Sequence, residues 1–93
     1  MEIILNKCYG CLSFSQEALE RAGFSWEDDR FNDDLRRSLR MIDVVRELGD
    51  AAGRYYSHPV VVTIPEEATD YTLMSHDGFE TILYVVDGKI HEI

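Results

Sequence analysis

The chain has 93 residues, of which 45% are hydrophobic and 29% are charged. This length supports one modest hydrophobic core, so we expect a single domain over residues 1–93. Eighteen acidic residues against nine basic ones give a net charge of −9, which repels nucleic acids and anionic membranes at long range. Composition and charge therefore argue against a nucleic-acid-binding protein, a membrane protein and a disordered chain.

The first half of the sequence predicts one strand and two helices. Consecutive apolar residues in Glu2–Lys7 are typical of a strand buried on both faces. Ser13 or Ser15 is suited to cap a short helix over Gln16–Ala22. A longer helix from about Asp34 to Ala52 is predicted by one apolar face with spacings of three and four residues, formed by Leu35, Leu39, Ile42, Val45 and Leu48.

The second half predicts strands joined by tight turns. The β-branched run Pro59–Ile64 is typical of a central strand. Asp77-Gly78 and Asp87-Gly88 both favour two-residue hairpins, because a type I′ turn needs positive φ at its two central residues. The strands on either side of these turns are Asp70–His76, Phe79–Val86 and Lys89–Ile93.

These elements follow one another in the order β-α-α-β-β-β(-β). This order predicts an α+β fold with a mainly antiparallel sheet of four to five strands and two helices on one face of the sheet.

Cys8 and Cys11 form a C-x-x-C motif between the first strand and the first helix. Thioredoxin-like proteins carry their redox cysteines in this position, where one thiolate attacks a disulfide and the other resolves it. A thiol–disulfide oxidoreductase using Cys8 and Cys11 is therefore an alternative function, although such a fold needs a parallel βαβ unit. The histidines do not add the spaced ligands of a zinc site, so we expect no metal and no cofactor.

Charged residues cluster before and within the start of the longer helix. The acidic members of this cluster include Asp28, Asp29, Asp33 and Asp34, and the basic members include Arg36 and Arg40. The carboxylates either serve solubility alone or form a surface for a basic partner. Arg36 and Arg40 are one helical turn apart, so they are placed either to clamp a phosphate or carboxylate or to neutralise the aspartates. Arg54, Tyr55 and Tyr56 offer stacking for a nucleotide, but tyrosines beside a strand more often pack at its edge.

Several segments resemble a set of small uncharacterised proteins of phages and bacteria. Those proteins open with N-K-C-Y-G-G-F-x-L-S, and Ile4–Gly10 here reads I-L-N-K-C-Y-G. Ile42–Gly53 is similar to their I-E-V-V-E-E-L-G-x-x-A segment. Val62–Pro65 and Asp77–Glu80 match their I-P and D-G-x-E positions.

The resemblance implies a phage or prophage origin but carries no established activity. This chain has Cys11 where the relatives have a second glycine. The shared segment then suggests that the opening loop shapes a binding surface. Its residues are Asn6, Lys7, Cys8, Tyr9 and Gly10.

Size, charge, the lack of a catalytic motif and this resemblance together predict a non-enzymatic binding protein that inhibits a bacterial defence system. It would either occlude a basic surface with the Glu27–Asp34 stretch or sequester a nucleotide signal with Arg36 and Arg40. A thiol–disulfide oxidoreductase and a phage structural or accessory protein are the alternatives. We expect a protein partner in the cytoplasm of a bacterial host cell and no direct contact with nucleic acid or membrane. The sequence leaves the oligomeric state open, and the edge strand Lys89–Ile93 is compatible with a dimer formed at the sheet edge.

Overall fold

A computed structural model describes residues 1–25, 27–28 and 32–93, except for the side chains of residues 32 and 33. The described part has an α+β fold, as predicted. No helix within it is long and apolar enough to cross a membrane. Its elements are β1 (Glu2–Asn6), α1 (Gln16–Ala22), α2 (Asn32–Leu35), α3 (Leu39–Leu48) with a 3₁₀ turn (Gly49–Ala52), β2 (Pro59–Thr63), β3 (Asp70–His76), β4 (Phe79–Val86) and β5 (Lys89–Glu92).

The strands form two antiparallel sheets rather than one. β1 pairs with β2, with Ile4 opposite Val61, and β3, β4 and β5 form a separate meander. The predicted antiparallel pairing is confirmed, but the prediction of a single sheet of four to five strands is wrong for the described residues. The free edge of β1 is occupied by Arg36 and by the carboxylate of Glu80, so no strand pairs there.

The small β1–β2 sheet lies between the helices and the three-stranded sheet. Ile4 points to one side and joins the apolar cluster formed with α1 and α3. Ile3 and Leu5 point to the other side and pack in a second cluster with Ile82 of β4. This alternation follows from the two-residue period of a strand. The opposite face of the three-stranded sheet, called here the outer face, is not part of either cluster.

The first helix and its caps agree with the sequence prediction. α1 spans Gln16–Ala22, and the Ser15 hydroxyl accepts a hydrogen bond of 3.2 Å from the Ala18 N–H. Gly23 ends the helix with φ of 83°, a left-handed conformation that glycine adopts without steric cost. The cap is therefore Ser15 and not Ser13.

The predicted helix from Asp34 to Ala52 is interrupted. α2 ends at Leu35, and α3 begins only after Ser38, whose hydroxyl accepts from the Met41 N–H at 3.4 Å. Serine competes for backbone hydrogen bonds in this way and so favours a helix start over a helix interior. Leu39, predicted to lie on the apolar face, is 75% exposed, while Met41 is fully buried.

Both Asp-Gly pairs form the predicted two-residue hairpins. In the first, Asp77 and Gly78 have φ of 53° and 89°, and in the second, Asp87 and Gly88 have φ of 51° and 74°. Positive φ at both central residues is the geometry of a type I′ turn. The first hairpin differs in its surroundings, because a Cβ atom on Gly78 would overlap the carbonyl group of Gly10.

Replacing each hairpin glycine by alanine should distinguish two causes of lost stability: the left-handed backbone conformation and the overlap of the new Cβ atom with a neighbouring residue. We expect Gly88→Ala to lower the free energy of unfolding by about 1–2 kcal/mol, the cost of a left-handed alanine, since nothing lies within 4 Å of its Cβ. Gly78→Ala should lower the free energy of unfolding by about 3 kcal/mol or more, because its Cβ atom also overlaps the carbonyl group of Gly10. Urea denaturation measures both losses, and equal losses would contradict the packing of Gly78 against Gly10.

Candidate functional site

Asn6 is the centre of the opening loop and is completely buried. Its Nδ2 donates hydrogen bonds to the main-chain oxygens of Cys8, Gly10 and Gly78 at 3.0, 3.3 and 3.0 Å. Its Oδ1 accepts from the His58 N–H at 2.8 Å. Asn6 therefore joins the loop, the start of β2 and the first hairpin, and this network leaves its amide inside the protein rather than on a binding surface.

Lys7 is also bonded within the fold. Its Nζ donates to the main-chain oxygens of Glu80 and Ile93 at 2.7 and 3.2 Å. The same ammonium lies 5.2 Å from the centre of the Phe79 ring, a cation–π distance. Among the residues of the shared motif, Asn6 and Lys7 thus anchor the loop, while Tyr9 remains 63% exposed.

Arg36 and Glu80 form a buried bidentate ion pair. Nη1 and Nη2 each lie 3.0 Å from one carboxylate oxygen, and the two side chains are only 4% and 10% exposed. The pair also satisfies the open edge of β1. The Arg36 carbonyl and Nη1 bond to the N–H and carbonyl of Ile4 at 2.9 and 3.3 Å, and Oε1 of Glu80 accepts from the Asn6 N–H at 2.8 Å.

The structure does not assemble the predicted clamp of Arg36 and Arg40. Arg36 lies buried in the turn after α2, whereas Arg40 is exposed on α3 beyond the Ser38 cap. Both terminal nitrogens of Arg36 bind the Glu80 carboxylate, and Arg40 is exposed, so the two arginines do not converge on one external anion.

The acidic stretch is partly used in local structure. Oδ2 of Asp28 accepts from the Ser25 N–H at 2.7 Å and from its hydroxyl at 3.1 Å. Asp34 is exposed. Asp29 and the side chain of Asp33 lie outside the described residues.

The two cysteines are free thiols; Cys8 is half-buried and Cys11 is exposed. Residues 9–15 separate Cys8 from the first turn of α1, and β1 pairs antiparallel with β2. The described strands thus lack the parallel βαβ unit that carries the thioredoxin-type motif. Nor do three or more histidine, cysteine or carboxylate side chains converge as a metal site within the described part of the chain.

Four residues beside the opening loop form an exposed aromatic surface, which we call the tyrosine patch: Tyr9, Arg54, Tyr55 and Tyr56. The side chains of Tyr55 and Tyr56 are 89% and 83% exposed. The patch borders a cleft of about 170 Å³ that Cys11 also lines. The Arg54 guanidinium lies 5.9 Å from the centre of the Tyr55 ring, so the patch combines aromatic surface with positive charge.

The tyrosine patch is mounted on a well-bonded turn. The Ser57 N–H donates to the Arg54 carbonyl at 2.9 Å, which places Tyr55 and Tyr56 at the corners of a β-turn. Ser13 holds this turn from the other side, because its N–H donates to the Ser57 hydroxyl at 3.0 Å and its carbonyl accepts from the Arg54 N–H at 3.3 Å. The two rings are therefore displayed from a fixed backbone.

Tyr55 has φ of 55°, a left-handed conformation that is unusual for a bulky residue. Such strain costs of order 1–3 kcal/mol and concentrates at functional positions. Packing in the core does not offset this cost, since the rings of Tyr55 and Tyr56 are largely exposed. The expectation that these tyrosines pack at the edge of a strand is therefore wrong. The sequence does contain a signal for an exposed turn, because Tyr55 and Tyr56 lie between Gly53 and Pro59, and neither helix nor strand readily continues through these two residues.

A second, larger cavity of about 420 Å³ lies on the other side of the Gly10–Cys11 segment. Its lining includes the paired carboxylate of Glu80 and the exposed carboxylate of Asp77, with Arg36 beside them. Two carboxylates against one arginine that is already ion-paired make this cavity unfavourable for a phosphate.

Comparison with protein-family models, with curated proteins and with solved structures finds no match to this chain. The functional interpretation therefore depends on the geometry of the site itself.

Removing the Glu80 carboxylate should show that Arg36 is structural. We expect Glu80→Ala to lower the free energy of unfolding by about 3–5 kcal/mol, because it leaves the Arg36 charge buried without its carboxylate. Glu17→Ala breaks the exposed Glu17–Arg21 pair and should cost less than about 1 kcal/mol. Urea denaturation at neutral pH gives both values. A loss below about 1 kcal/mol for Glu80→Ala would mean that Arg36 is available to bind a ligand.

Proposed function

We propose that this chain is a non-enzymatic binding protein that docks on a partner protein through the tyrosine patch. The observation that carries the proposal is the pair of rings of Tyr55 and Tyr56, held at 89% and 83% exposure on a braced turn. Exposed aromatic rings contribute nothing to the core, whereas they supply large contact area in an interface. The strained backbone of Tyr55 supports the same function.

The composition of the tyrosine patch supports a protein interface. Tyrosine and arginine are enriched among the residues that contribute most to binding energy in protein complexes. The patch holds three tyrosines and Arg54 around one shallow cleft. Because the turn is fixed by the hydrogen bonds of Ser13 and Ser57, little backbone conformational entropy is lost when the rings become buried.

The sizes and charges of the two cavities that border the Gly10–Cys11 segment favour occlusion of a protein surface over sequestration of a nucleotide at this site. A cleft of about 170 Å³ is smaller than the roughly 300–1,000 Å³ of typical small-molecule sites. The cavity of about 420 Å³ is large enough, but its carboxylates, Asp77 and Glu80, repel phosphate. The tyrosine patch is better suited to cover a partner than to enclose a ligand.

The net charge of −9 attracts the chain as a whole to a partner with a basic surface, because long-range attraction between opposite charges accelerates encounter. The resemblance to small phage and bacterial proteins supports a bacterial host protein as that partner. We therefore propose that the chain acts in a bacterial host as an inhibitor, which covers a basic functional surface of a defence protein and so blocks access to it.

The tyrosine patch can be tested with a double variant and a matched control. We expect Tyr55→Ala/Tyr56→Ala to lose the host proteins that the immobilised wild type retains from bacterial lysate, with affinity for the purified partner reduced by roughly 30-fold or more. Leu39→Ala removes another exposed apolar side chain, 75% exposed on α3, and should retain the same proteins. Quantitative mass spectrometry compares the retained sets.

Thermal melts of both variants serve as the folding control, because neither change removes a buried side chain. If the double variant is folded and retains the same proteins as the wild type, the tyrosine patch is not the docking surface and the proposal fails.

The thiol–disulfide alternative makes an opposite prediction about the cysteines. If the protein acts by binding, Cys8→Ser/Cys11→Ser should hold the purified partner within about twofold of the wild-type affinity, since serine is close to cysteine in size and the change leaves the tyrosines and Arg54 in place around the cleft that Cys11 lines. The wild type should also reduce insulin disulfides no faster than the serine variant. Loss of partner binding together with a wild-type-specific reductase rate would support the redox function instead.

A further inference from the structure

The outer face of the three-stranded sheet carries an apolar stripe. Strand register places Ile90 beside Val85 on β4, and places Leu83 and then Met74 further along the sheet. Leu83 and Val85 point away from Ile82, which is in the core, because side chains alternate along β4. Ile90 is paired with Val85 and Met74 with Thr81, so all four side chains share the outer face. Ile90 and Met74 are 73% and 46% exposed. A shallow groove of about 210 Å³ runs past Leu83, Val85 and Ile90.

A carboxylate lies on each side of this stripe. Asp70 on β3 is the cross-strand neighbour of Val85, and Glu92 on β5 is the cross-strand neighbour of Leu83. Both residues are exposed, and both share the outer face with the stripe. The outer face thus presents an apolar diagonal flanked by one acidic residue on either side.

The net charge is concentrated on the same part of the molecule. Residues 66–93 contain seven acidic residues and one lysine, so they carry −6 of the total charge of −9. Of these carboxylates, Glu80 is buried against Arg36, and the others are exposed. A second copy of this chain would bring the same negative charge to the face and be repelled, whereas a basic partner would be attracted.

The chemistry of a sheet face also limits the kind of segment that fits. The main-chain groups of β4 are bonded to β3 and β5, so the face offers side chains only. A docked segment must satisfy its own main-chain hydrogen bonds, as an α-helix does. From the spacing of strands and residues, the stripe is roughly 17 Å long, which corresponds to a helix of about three turns.

We propose that the outer face of the β3–β4–β5 sheet docks a basic amphipathic helix of a partner protein. Apolar side chains of the helix, at i, i+3, i+4 and i+7, lie along Ile90, Val85, Leu83 and Met74. Lysine or arginine side chains on its two flanks meet Asp70 and Glu92. No residue of this surface belongs to the tyrosine patch, so the proposal does not depend on the function proposed above.

The probe is a fluorescently labelled synthetic helix of leucine and lysine, with its leucines on one stripe. A scrambled peptide of the same composition distributes the leucines around the helix and keeps the same charge. We expect the wild type to bind the amphipathic peptide roughly tenfold or more tightly than the scrambled one at physiological salt. Fluorescence anisotropy measures both affinities.

Variants then locate the contact. Val85→Thr/Ile90→Thr keeps β-branched side chains and should weaken binding of the amphipathic peptide by roughly tenfold. Leu39→Thr, an equally exposed apolar position on α3, should bind as the wild type does. Tyr55→Ala/Tyr56→Ala should also bind the peptide normally, so failure of this proposal and failure of the tyrosine patch are distinguishable.

Three results would overturn the proposal. Equal affinity of the wild type for both peptides, or unchanged binding by folded Val85→Thr/Ile90→Thr, would show attraction by charge alone with no docking stripe. A wild-type dimer that Val85→Thr/Ile90→Thr converts to a monomer, measured by light scattering, would assign the outer face to a second copy of the chain.

Discussion

The ion pair between Arg36 and Glu80 is the contact on which the arrangement of the layers depends. It joins the turn after α2 to β4, and it bonds to Ile4 and Asn6 along the open edge of β1. An edge occupied by side chains and a turn cannot pair with another strand. The three-stranded sheet therefore packs across the face of β1 through Ile3 and Leu5 instead of extending the small sheet at its edge.

The features that the sequence predicts correctly are stabilised by contacts between neighbouring residues. Ser15 caps the residues that directly follow it, and the Asp-Gly pairs set the backbone of their own turns. The interruption of the predicted helix has a local cause, the Ser38 cap, and a distant one, the pairing of Arg36 with Glu80, which is 44 residues away in the sequence. Apolar spacing alone predicts a continuous helix there, and neither the Ser38 cap nor a distant carboxylate alters that spacing.

Contacts between distant residues also explain why the candidate site differs from the sequence-based expectation. The conspicuous motif residues Asn6 and Lys7 looked available for binding, yet their partners are main-chain groups of the first hairpin and of β4. The sequence predicts that Tyr55 and Tyr56 pack at the edge of a strand, yet both are largely exposed. A sequence shows the chemical type of a side chain, but whether that chemistry is used inside the fold depends on contacts between distant residues.

The contacts of the charged side chains near the opening loop are consistent with the proposed binding function. Three charged groups beside the opening loop are the ammonium of Lys7, the guanidinium of Arg36 and the carboxylate of Glu80. Each is bonded to the scaffold. The surfaces beside them expose aromatic rings on a rigid turn and an apolar stripe edged with carboxylates. Such surfaces gain free energy by excluding water against a partner, which requires complementary shape and charge but no reactive group.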